Sequence, residues 1–275
     1  YESPATIGAI ARVLARYGEV AHLPCDRGIV DSLIRHRPDV VFNIAEGWGG
    51  RDRESFVPAI CAAIGIPYTG SDAVALGITM DKALTKRVLR DAGIATTDFM
   101  VCGSVDTDIP PFGFPAFVKP NCDGSSRGVH RDSLVHDMRA LKKKIGDVLH
   151  DSSGPALVEP YLDGRDFCVG LLGNDQPRIL RTCEVLLGHV DGIPFFSREY
   201  KRGDTDRLDM NPTIAREVLR DMERMALTAW DVLGCRDYAR IDFRTDAAER
   251  PYLMEVNALP GLSPVSGIFI RQAEA

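Results

Sequence analysis

Apolar residues in the first third of the chain recur at the spacing of amphipathic helices, with short apolar runs between them. Ile7, Ile10 and Val13 fall on one helical face, and Gly18 can end that helix. The pattern predicts helices over 4–17, 26–36 (with Asp26 as its cap) and 53–64, and strands over 19–23 and 39–42. Strands that alternate with helices are typical of a parallel α/β sheet. Because an α/β unit that opens on a helix is unusual, we expect a further strand before Tyr1.

The middle and last parts of the chain are richer in strand patterns. They predict strands over 115–120, 156–161, 166–172, 178–186, 238–244 and 252–256, and helices over 81–92, 133–145 and 212–233. The helix over 133–145 carries a lysine run, 142–144, that is typical of a solvated helix face. A polar segment over 188–209 has the length of loops that are usually either functional or disordered.

Composition restricts the classes of protein that this sequence can represent. The 275 residues carry a net charge of −6, which argues against a general nucleic-acid binder but not against a nucleotide site. Seven cysteines are scattered without a C-x-x-C pair, as is typical of a reducing compartment. No apolar run approaches the roughly 18 residues that a membrane helix needs. We therefore expect a cytoplasmic protein that binds neither membrane nor nucleic acid.

Four polar residues alternate along two of the predicted C-terminal strands. Arg240 and Asp242 share a face of the first strand, and Glu255 and Asn257 share a face of the second. An antiparallel pairing of these strands would make the two faces coincide. Two carboxylates and an amide oxygen are hard ligands suited to Mg²⁺, and the alternative is an amphipathic hairpin with its polar face in water. The turn ending at Gly261 favours the site, because its N–H groups can approach a developing anion.

Two further segments have features of a nucleotide site. Lys119 ends a short strand and precedes the loop 121–128, whose small residues can surround phosphate oxygens with backbone N–H groups. This loop lacks the P-loop pattern, and loops of its kind are also ordinary connectors. Lys82, near the start of a helix, could equally be a plain exposed lysine. The segment 159–166 offers polar strand edges, apolar side chains and an acid for an adenine ring and a ribose, or is an ordinary strand and turn.

Together these motifs resemble those of one family. In chain order they are FNIAEG at 42–47, RDRES at 51–55, GIPYTGSD at 65–72, MDK at 80–82, FVKP at 117–120, GSS at 124–126, RID at 240–242 and EVNALPG at 255–261. Over essentially its whole length the chain resembles the D-alanine–D-alanine ligases of the ATP-grasp superfamily. The resemblance implies an α/β (α+β) ATP-grasp fold with an N-terminal parallel α/β domain over 1–75, a central domain over 76–165 and a C-terminal domain over 166–275.

The resemblance also implies roles for individual residues and a homodimeric assembly. ATP would be bound at its phosphates by Lys82 and Lys119, and at adenine and ribose by Glu159, Leu162 and Asp166. Two Mg²⁺ ions, or Mn²⁺ ions, would be held by Asp242, Glu255 and Asn257. Catalysis would rest on Arg240 and the N–H of Gly261 as an oxyanion site, with Ser125 and the lid lysine Lys201. The amino-acid substrates would be contacted by Glu2 (at the first amine), Ser125 and Ser266.

Three positions depart from the family pattern. Arg202 stands where many members have a substrate-contacting tyrosine, and Gly267 stands where the family often has a leucine lining the second-substrate pocket. Pro160 replaces a residue that is often lysine. Arginine would bring charge and glycine would bring space, so these positions raise the question of which amine is the second substrate.

The sequence therefore predicts an ATP-dependent carboxylate–amine ligase that works through an acyl phosphate. The leading interpretation is a D-alanine–D-alanine ligase, or a close relative, in peptidoglycan precursor synthesis. An alternative is a specialised enzyme on the same scaffold that joins another amino acid or closes a ring, as the D-cycloserine-forming ligase does. A second alternative is a non-catalytic nucleotide-binding regulator, which would have no need of metal ligands and an oxyanion arginine together.

Overall fold

A computed structural model of the chain describes residues 2–152, 154–186 and 208–275. The α-helices of these residues are α1 (Pro4–Leu14), α2 (Ile29–His36), α3 (Phe56–Ile64), α4 (Ala73–Met80), α5 (Lys82–Asp91), α6 (Met138–Asp151), α7 (Arg216–Leu233) and α8 (Ile268–Glu274). The strands are β1 (Met100–Cys102), β2 (Ala116–Pro120), β3 (Leu134–Val135), β4 (Ala156–Pro160), β5 (Asp166–Gly173), β6 (Arg178–Ile179), β7 (Cys183–Val185), β8 (Leu208–Asp209), β9 (Asp237–Thr245) and β10 (Pro251–Asn257). Single turns of 3₁₀ helix lie at Arg53–Ser55 and Arg131–Ser133.

The N-terminal region is held together by a small helical core. Ile29 and Leu33 on the apolar face of α2 pack against Val57 and Cys61 of α3. Helix α2 begins at Ile29 with Gly28 as its N-cap, so the prediction that Asp26 caps it is wrong. The Asp26 carboxylate instead accepts a hydrogen bond from the Gly28 N–H at 2.8 Å and shapes the turn before the helix.

The predicted N-terminal strands are mostly not formed in the described residues. The segment 39–42 makes a single parallel bridge, between Val41 and Tyr68, and 19–23 forms no strand. Four of the five residues in 19–23 are exposed, so this segment has no partner for a ladder of backbone hydrogen bonds. The apolar pattern of 19–23 therefore indicates an extended backbone, but it does not show whether a neighbouring strand is present to pair with this segment.

The central region is a four-stranded antiparallel sheet in the order β1-β4-β2-β3. Helix α6 covers one face of it, with Leu141 and Ile145 packed against Val118 and Val158. This arrangement follows from the apolar stripe of α6 and from β2 and β4, which are buried at four of five positions each.

Helix α6 begins later than its pattern predicts. Asp137 caps it by accepting from the Ala140 N–H at 2.8 Å, while 134–135 pair as strand β3. Its lysine run is not wholly solvated, because Lys144 is 4% exposed and donates to the Asp132 carboxylate at 2.6 Å.

The C-terminal region contains the larger sheet, antiparallel throughout, in the order β10-β9-β5-β7-β8 with β6 paired to β5. Helix α7 packs on it through Met222 and Trp230, which meet Phe167 of β5. Leu76 of α4 and Leu89 of α5 join the same core, although both helices precede the central sheet in the chain. Helix α5 is therefore anchored on the C-terminal sheet while its N-terminus reaches toward the central one.

Other predicted elements also have different bounds, including α1, which ends at Leu14, and α3, which begins at Phe56. The strand predicted over 178–186 is divided into β6 and β7, because 180–182 lie outside the strand ladder, although the Leu180 N–H still donates to the Gly170 carbonyl of β5. The helix predicted from 212 begins at Arg216, and its first turn closes on the Ala215 carbonyl. Among the helices of the described residues, none combines the length and apolar character needed to cross a membrane.

Candidate active site

Strands β9 and β10 form the antiparallel hairpin that the sequence predicts, and its polar residues share one face. Glu255 lies directly opposite Asp242, and Asn257 lies directly opposite Arg240. Residues directly opposite in an antiparallel pair project to the same side. The predicted convergence of two carboxylates, an amide and a guanidinium is therefore confirmed by the register.

A β-bulge in β10 makes this register fit the core as well as the site. Leu253 is opposite Phe243, and both are buried, at 0% and 1% exposure. The ladder then shifts by one residue at Met254, so that Glu255 faces Asp242. Without the extra residue, strict alternation would put Leu253 and Glu255 on the same face. The bulge allows the strand to bury its leucine on one side and present its glutamate on the other.

The polar face is sheltered and internally paired rather than open to water. The Arg240 guanidinium donates to both carboxylate oxygens of Asp242, at 2.7 and 2.8 Å, and the Asn257 amide donates to one of them at 2.9 Å. The side chains of Arg240, Asp242 and Glu255 are 16%, 24% and 28% exposed. Burial alone would lower the pKa of Arg240, but its pairing with Asp242 raises it. The alternative of a hairpin with a fully wetted polar face is therefore wrong.

The chemistry of this face suits a hard divalent cation. Within the described residues no group of three or more His, Cys, Asp and Glu side chains could enclose a metal by itself. Asp242, Glu255 and Asn257 together offer two carboxylates and one amide oxygen on one face. Mg²⁺ takes few protein ligands and completes its octahedron with phosphate oxygens and water, so a partial set of oxygen ligands such as this one fits it.

Lys82 joins this face from helix α5. The Asp81 side chain caps the helix by accepting from the Leu84 N–H, which places Lys82 in the first turn. Its ammonium lies 2.9 Å from Glu255 and donates to the Asp123 carbonyl at 2.5 Å. Burial by itself would raise the pKa of Glu255, but Lys82 and then Lys119 lower it. Lys82 is 5% exposed, so the reading of it as a plain exposed lysine is wrong.

The loop 121–128 follows Lys119 and has an unusual backbone. Ser125 and Ser126 both adopt left-handed conformations, with φ of 57° and 56°, and Gly128 has φ of 70°. A Cβ on Gly128 would lie 2.6 Å from the Pro120 ring, so glycine is required for the loop to fold back on β2. Consecutive residues held away from the common backbone regions are typical of ligand-binding loops.

Lys119 lies in a second charged group, which is almost fully buried. The Glu159 carboxylate, 1% exposed, pairs through one oxygen with Lys119 at 2.5 Å and through the other with Lys86 at 2.6 Å. Thr97 donates to the same carboxylate at 2.6 Å. Burial alone would raise the pKa of Glu159, but the two lysines lower it to about 2. Glu159 therefore remains an anion inside the protein.

The two charged groups border a single cleft between the two sheets. The central sheet and its loop contribute Phe117, Lys119, Ser126 and Glu159, and the C-terminal sheet contributes Asp166, Cys168, Arg240, Asp242 and Glu255. Concave sites that combine apolar walls with a few convergent polar groups are the usual form of ligand pockets. The cleft thus has the polarity expected for a nucleotide with a charged end.

Comparison with known proteins agrees with this geometry. The family model described as the C-terminus of D-ala D-ala ligase matches residues 88–275. An uncharacterised protein of Sinorhizobium fredii is 33% identical over 278 residues, covering 96% of this chain and 81% of that protein. A D-alanine–D-alanine ligase of Moorella thermoacetica is 32% identical over 270 residues, covering 94% and 84%. The chain belongs to the D-alanine–D-alanine ligase family.

A solved structure shows that the fold is shared as well. The D-alanine–D-alanine ligase of Bacillus anthracis complexed with ATP matches with a TM-score of 0.76 at 22% identity, over 100% of this chain and 88% of that one. The predicted ATP-grasp fold and the predicted ATP-dependent ligase class are therefore confirmed for this member of the family.

Leu162 and Asp166, predicted at the adenine and ribose, are held in the ligase by Arg244, which the sequence analysis missed. Its guanidinium donates to the Leu162 carbonyl at 2.6 Å, to Asp166 at 2.8 Å and to the Tyr161 hydroxyl at 3.1 Å. Burial raises the pKa of Asp166, while the arginine opposes that shift. The signal was available, since Arg244 continues the alternation of Arg240 and Asp242 along β9.

The predicted substrate residues near the C-terminus of the ligase lie in a tight loop. The Glu2 carboxylate accepts from the Leu262 N–H at 2.8 Å, beside Gly261, so two distant parts of the chain meet there. Ser266 is exposed and its hydroxyl bonds Ser263 at 3.0 Å. Gly267 does not open space as its residue type suggests, because an added Cβ would lie 2.5 Å from the Ser263 carbonyl oxygen.

Of the remaining predicted site residues of the ligase, the structure describes some and not others. Ser125 is exposed on the loop beside Lys119. Lys201 and Arg202 lie outside the described residues, as does nearly all of the predicted lid over 188–209. Lys86 was also missed, although it lies one helical turn after Lys82 and therefore on the same face of α5.

Proposed function

We propose that this ligase uses MgATP to activate the carboxylate of D-alanine as an acyl phosphate and joins it to the amine of a second D-alanine. The product would be a dipeptide for peptidoglycan precursor synthesis. The observation that carries the proposal is the single polar face formed by Arg240, Asp242, Glu255 and Asn257, with Lys82 against Glu255. The ATP complex of the related Bacillus anthracis ligase supports ATP as the nucleotide.

In this proposal two lysines would bind the triphosphate. Lys82 and Lys119 belong to the two charged groups of the cleft. The ammonium group of Lys82 pairs with Glu255, and that of Lys119 pairs with Glu159. Asp242, Glu255 and Asn257 would hold Mg²⁺, which would supply positive charge next to the phosphates when bound. Positioning and charge stabilisation supply most of the catalysis in phosphoryl transfer.

The acyl-transfer half of the reaction would use the same polar face, at the end where β10 leads into the turn at Gly261. Arg240 and the N–H of Gly261 would stabilise the oxyanion formed when the amine attacks the activated carbonyl. Glu2, beside Gly261, would orient the first amine, and Ser125 and Ser266 would contact the carboxylates of the substrates. By the family resemblance, Lys201 would also take part in catalysis. In this pathway the phosphate leaves as the amide bond forms.

A second candidate function has an observation of its own. Gly267 cannot be a simple truncation of a pocket-lining leucine, since its loop has no room for a side chain. The loop over 261–267 therefore differs locally from one built around leucine, and with Arg202 it supports a different amine or an intramolecular nucleophile. A purely regulatory nucleotide-binding role has no such support in a chain that belongs to a ligase family.

Phosphate release measured across D-amino acids, singly and in pairs, tests the proposal. We expect D-alanine alone to release phosphate and yield a dipeptide. Release that requires another amino acid would move the chain to the specialised alternative, and no release with any amino acid despite ATP binding would contradict a ligase. The same assay with Asp242→Asn should fall near background, while Asp221→Asn, an exposed aspartate paired with Arg224 on α7, should retain activity.

The cellular setting of the proposal follows the family resemblance. We place the enzyme in the cytoplasm, since its substrates would be free amino acids and ATP. We propose a homodimer because the family resemblance implies one. Sedimentation of the purified protein checks the assembly state, and a monomer that is fully active would contradict the dimer.

A further inference from the structure

Lys86 is a charged side chain enclosed by the protein, next to the cleft but outside its lining. It is 1% exposed. Its ammonium lies 2.6 Å from Glu159 and donates to the hydroxyls of Thr96 at 2.7 Å and Thr97 at 2.9 Å. An ammonium group has three N–H bonds, so this set of acceptors satisfies it completely. Lys86 has no direct access to a ligand in the cleft.

The cluster around Lys86 contains more positive than negative groups. Two lysines, Lys86 and Lys119, share the one carboxylate of Glu159. The buried group therefore carries one net positive charge, and Lys119 is its member that lines the cleft. A buried cation without a full counter-charge is unfavourable unless an anion arrives to pair with it. The structure thus holds a positive charge ready for an anionic ligand at Lys119.

The surroundings fix the cluster in this arrangement. Thr97 donates to Glu159 at 2.6 Å, and Thr96 donates to the carbonyl of Leu253 at 2.7 Å, at the start of the β10 bulge. Lys86 thereby links α5 to β4 and to the bulge that presents Glu255. Burial lowers the pKa of Lys86 to about 8, so it is still predominantly protonated at neutral pH.

We propose that Lys86 is a positioning residue, which engages Glu159 so that Lys119 keeps a net positive charge for the phosphates of ATP. Without Lys86, Glu159 would neutralise Lys119, and the cluster would offer the phosphates no net charge. The inference rests on the proposed function, because it takes the anion at Lys119 to be the ATP triphosphate.

The test is to measure how ATP affinity depends on the charge of the cluster, using adenosine as the reference ligand. Lys86→Met sets the cluster charge to zero, Glu159→Gln sets it to plus two, and the double variant returns it to plus one. ATP affinity relative to adenosine should fall about tenfold in Lys86→Met, since one unit charge near the phosphates is removed. It should return to within about threefold of the unaltered protein in the double variant.

Adenosine separates charge from misfolding. A collapsed pocket would weaken adenosine and ATP together, whereas loss of charge weakens ATP alone. Lys144→Met is the matched control, because Lys144 is also a buried lysine with a carboxylate partner at 2.6 Å but lies on α6, outside the cleft lining. If Lys86→Met does not fold, Glu159→Gln decides the matter, because its cluster charge of plus two should raise ATP affinity relative to adenosine, and an unchanged ratio would overturn the proposal.

The outcomes are distinct for the two proposals. Unchanged relative ATP affinity in Lys86→Met, or no recovery in the double variant, overturns the role of Lys86 while leaving the ligase proposal intact. Failure of the unaltered protein to bind ATP overturns both. Isothermal titration with ATP and adenosine on folded protein provides each measurement without any need for turnover.

Discussion

Helix α5 carries two buried lysines one turn apart, and their ion pairs differ in exposure. Lys82 pairs with Glu255, whose side chain is 28% exposed at the edge of the cleft. Lys86 pairs with Glu159, whose side chain is 1% exposed. Under the proposed function, the first pair would separate when MgATP binds, whereas the second is enclosed by protein. The same kind of ion pair would then bind ligand in one place and hold a fixed charge in the other.

Because the two ion pairs differ in exposure, substitutions in the two regions should differ in how much stability they cost. Removing one member of a buried pair leaves an unpaired charge and typically costs 3–5 kcal/mol, while a pair near solvent contributes far less. Changes on the hairpin face should therefore affect turnover more than folding. Changes in the cluster of Lys86, Lys119 and Glu159 should affect both folding and nucleotide affinity.

The largest expected effect is on the hairpin side. Arg240→Ala should lower kcat by roughly 10²–10³, because one oxyanion donor is lost from a sheltered site. ATP affinity should change little, since the guanidinium pairs with Asp242 and is not proposed as a phosphate ligand. Steady-state kinetics and ATP titration on the same preparation provide the two readings.

Arg224→Ala is the control for that variant. Arg224 is an exposed arginine that donates to a nearby aspartate, Asp221, so the substitution removes a similar pair away from the site. It should leave both measurements unchanged. An ATP affinity that fell as far as turnover in Arg240→Ala would contradict the assignment of Arg240 to the acyl-transfer step.

The hairpin site could be predicted from sequence because its order is local. Arg240 with Asp242, and Glu255 with Asn257, show the two-residue period of strands, and a short turn is enough to bring them together. The bulge at Met254 was not visible, since it depends on fitting Leu253 into a core built by another strand and helix. A one-residue insertion leaves no periodic signature of its own.

The buried cluster of Lys86, Lys119 and Glu159 could not be predicted, because it is held together by contacts between residues that are distant in sequence. Thr97 meets Glu159 across 62 residues of chain, and neither residue has a neighbour in sequence that indicates the contact. A lysine on a polar helix is ordinarily exposed, so the burial of Lys86 contradicts the usual expectation for its type. Gly267 presents the same difficulty, since its residue type suggests space while its backbone contacts leave none.

Lowering the pH should reduce the free energy of unfolding through the buried cluster that contains Glu159. The pKa of Glu159 is about 2 in the folded protein, below the ordinary 4.5, so its ionisation stabilises the fold above pH 4.5 and that contribution is lost as the pH falls toward 2. The expected loss between pH 5 and pH 3 is roughly 2 kcal/mol, by the linkage of 1.36 kcal/mol per pKa unit. Urea unfolding at the two pH values measures it.

Two variants sharpen this comparison. Glu159→Gln should remove about 2 kcal/mol of that pH dependence, because its amide cannot titrate. Glu249→Gln changes a glutamate that is 49% exposed and paired with Arg165 at 3.3 Å, and should leave the pH dependence nearly as it was. Equal slopes in the two variants would mean that the buried pair with Lys86 and Lys119 does not hold Glu159 as an anion.

The smallest expected effect is a loss of ATP affinity at alkaline pH, which tests the fixed charge directly. The pKa of Lys86 is lowered to about 8, chiefly by burial, so the cluster passes from plus one toward zero between pH 7.5 and pH 9. The charged groups that face Lys86 are Glu159 from β4, Lys119 from β2 and Arg90 from its own helix. Since Glu159 stays ionised over this range, ATP affinity relative to adenosine should fall several-fold. The same titration on Lys86→Met should be flat, and a slope that persisted there would assign the effect to another group.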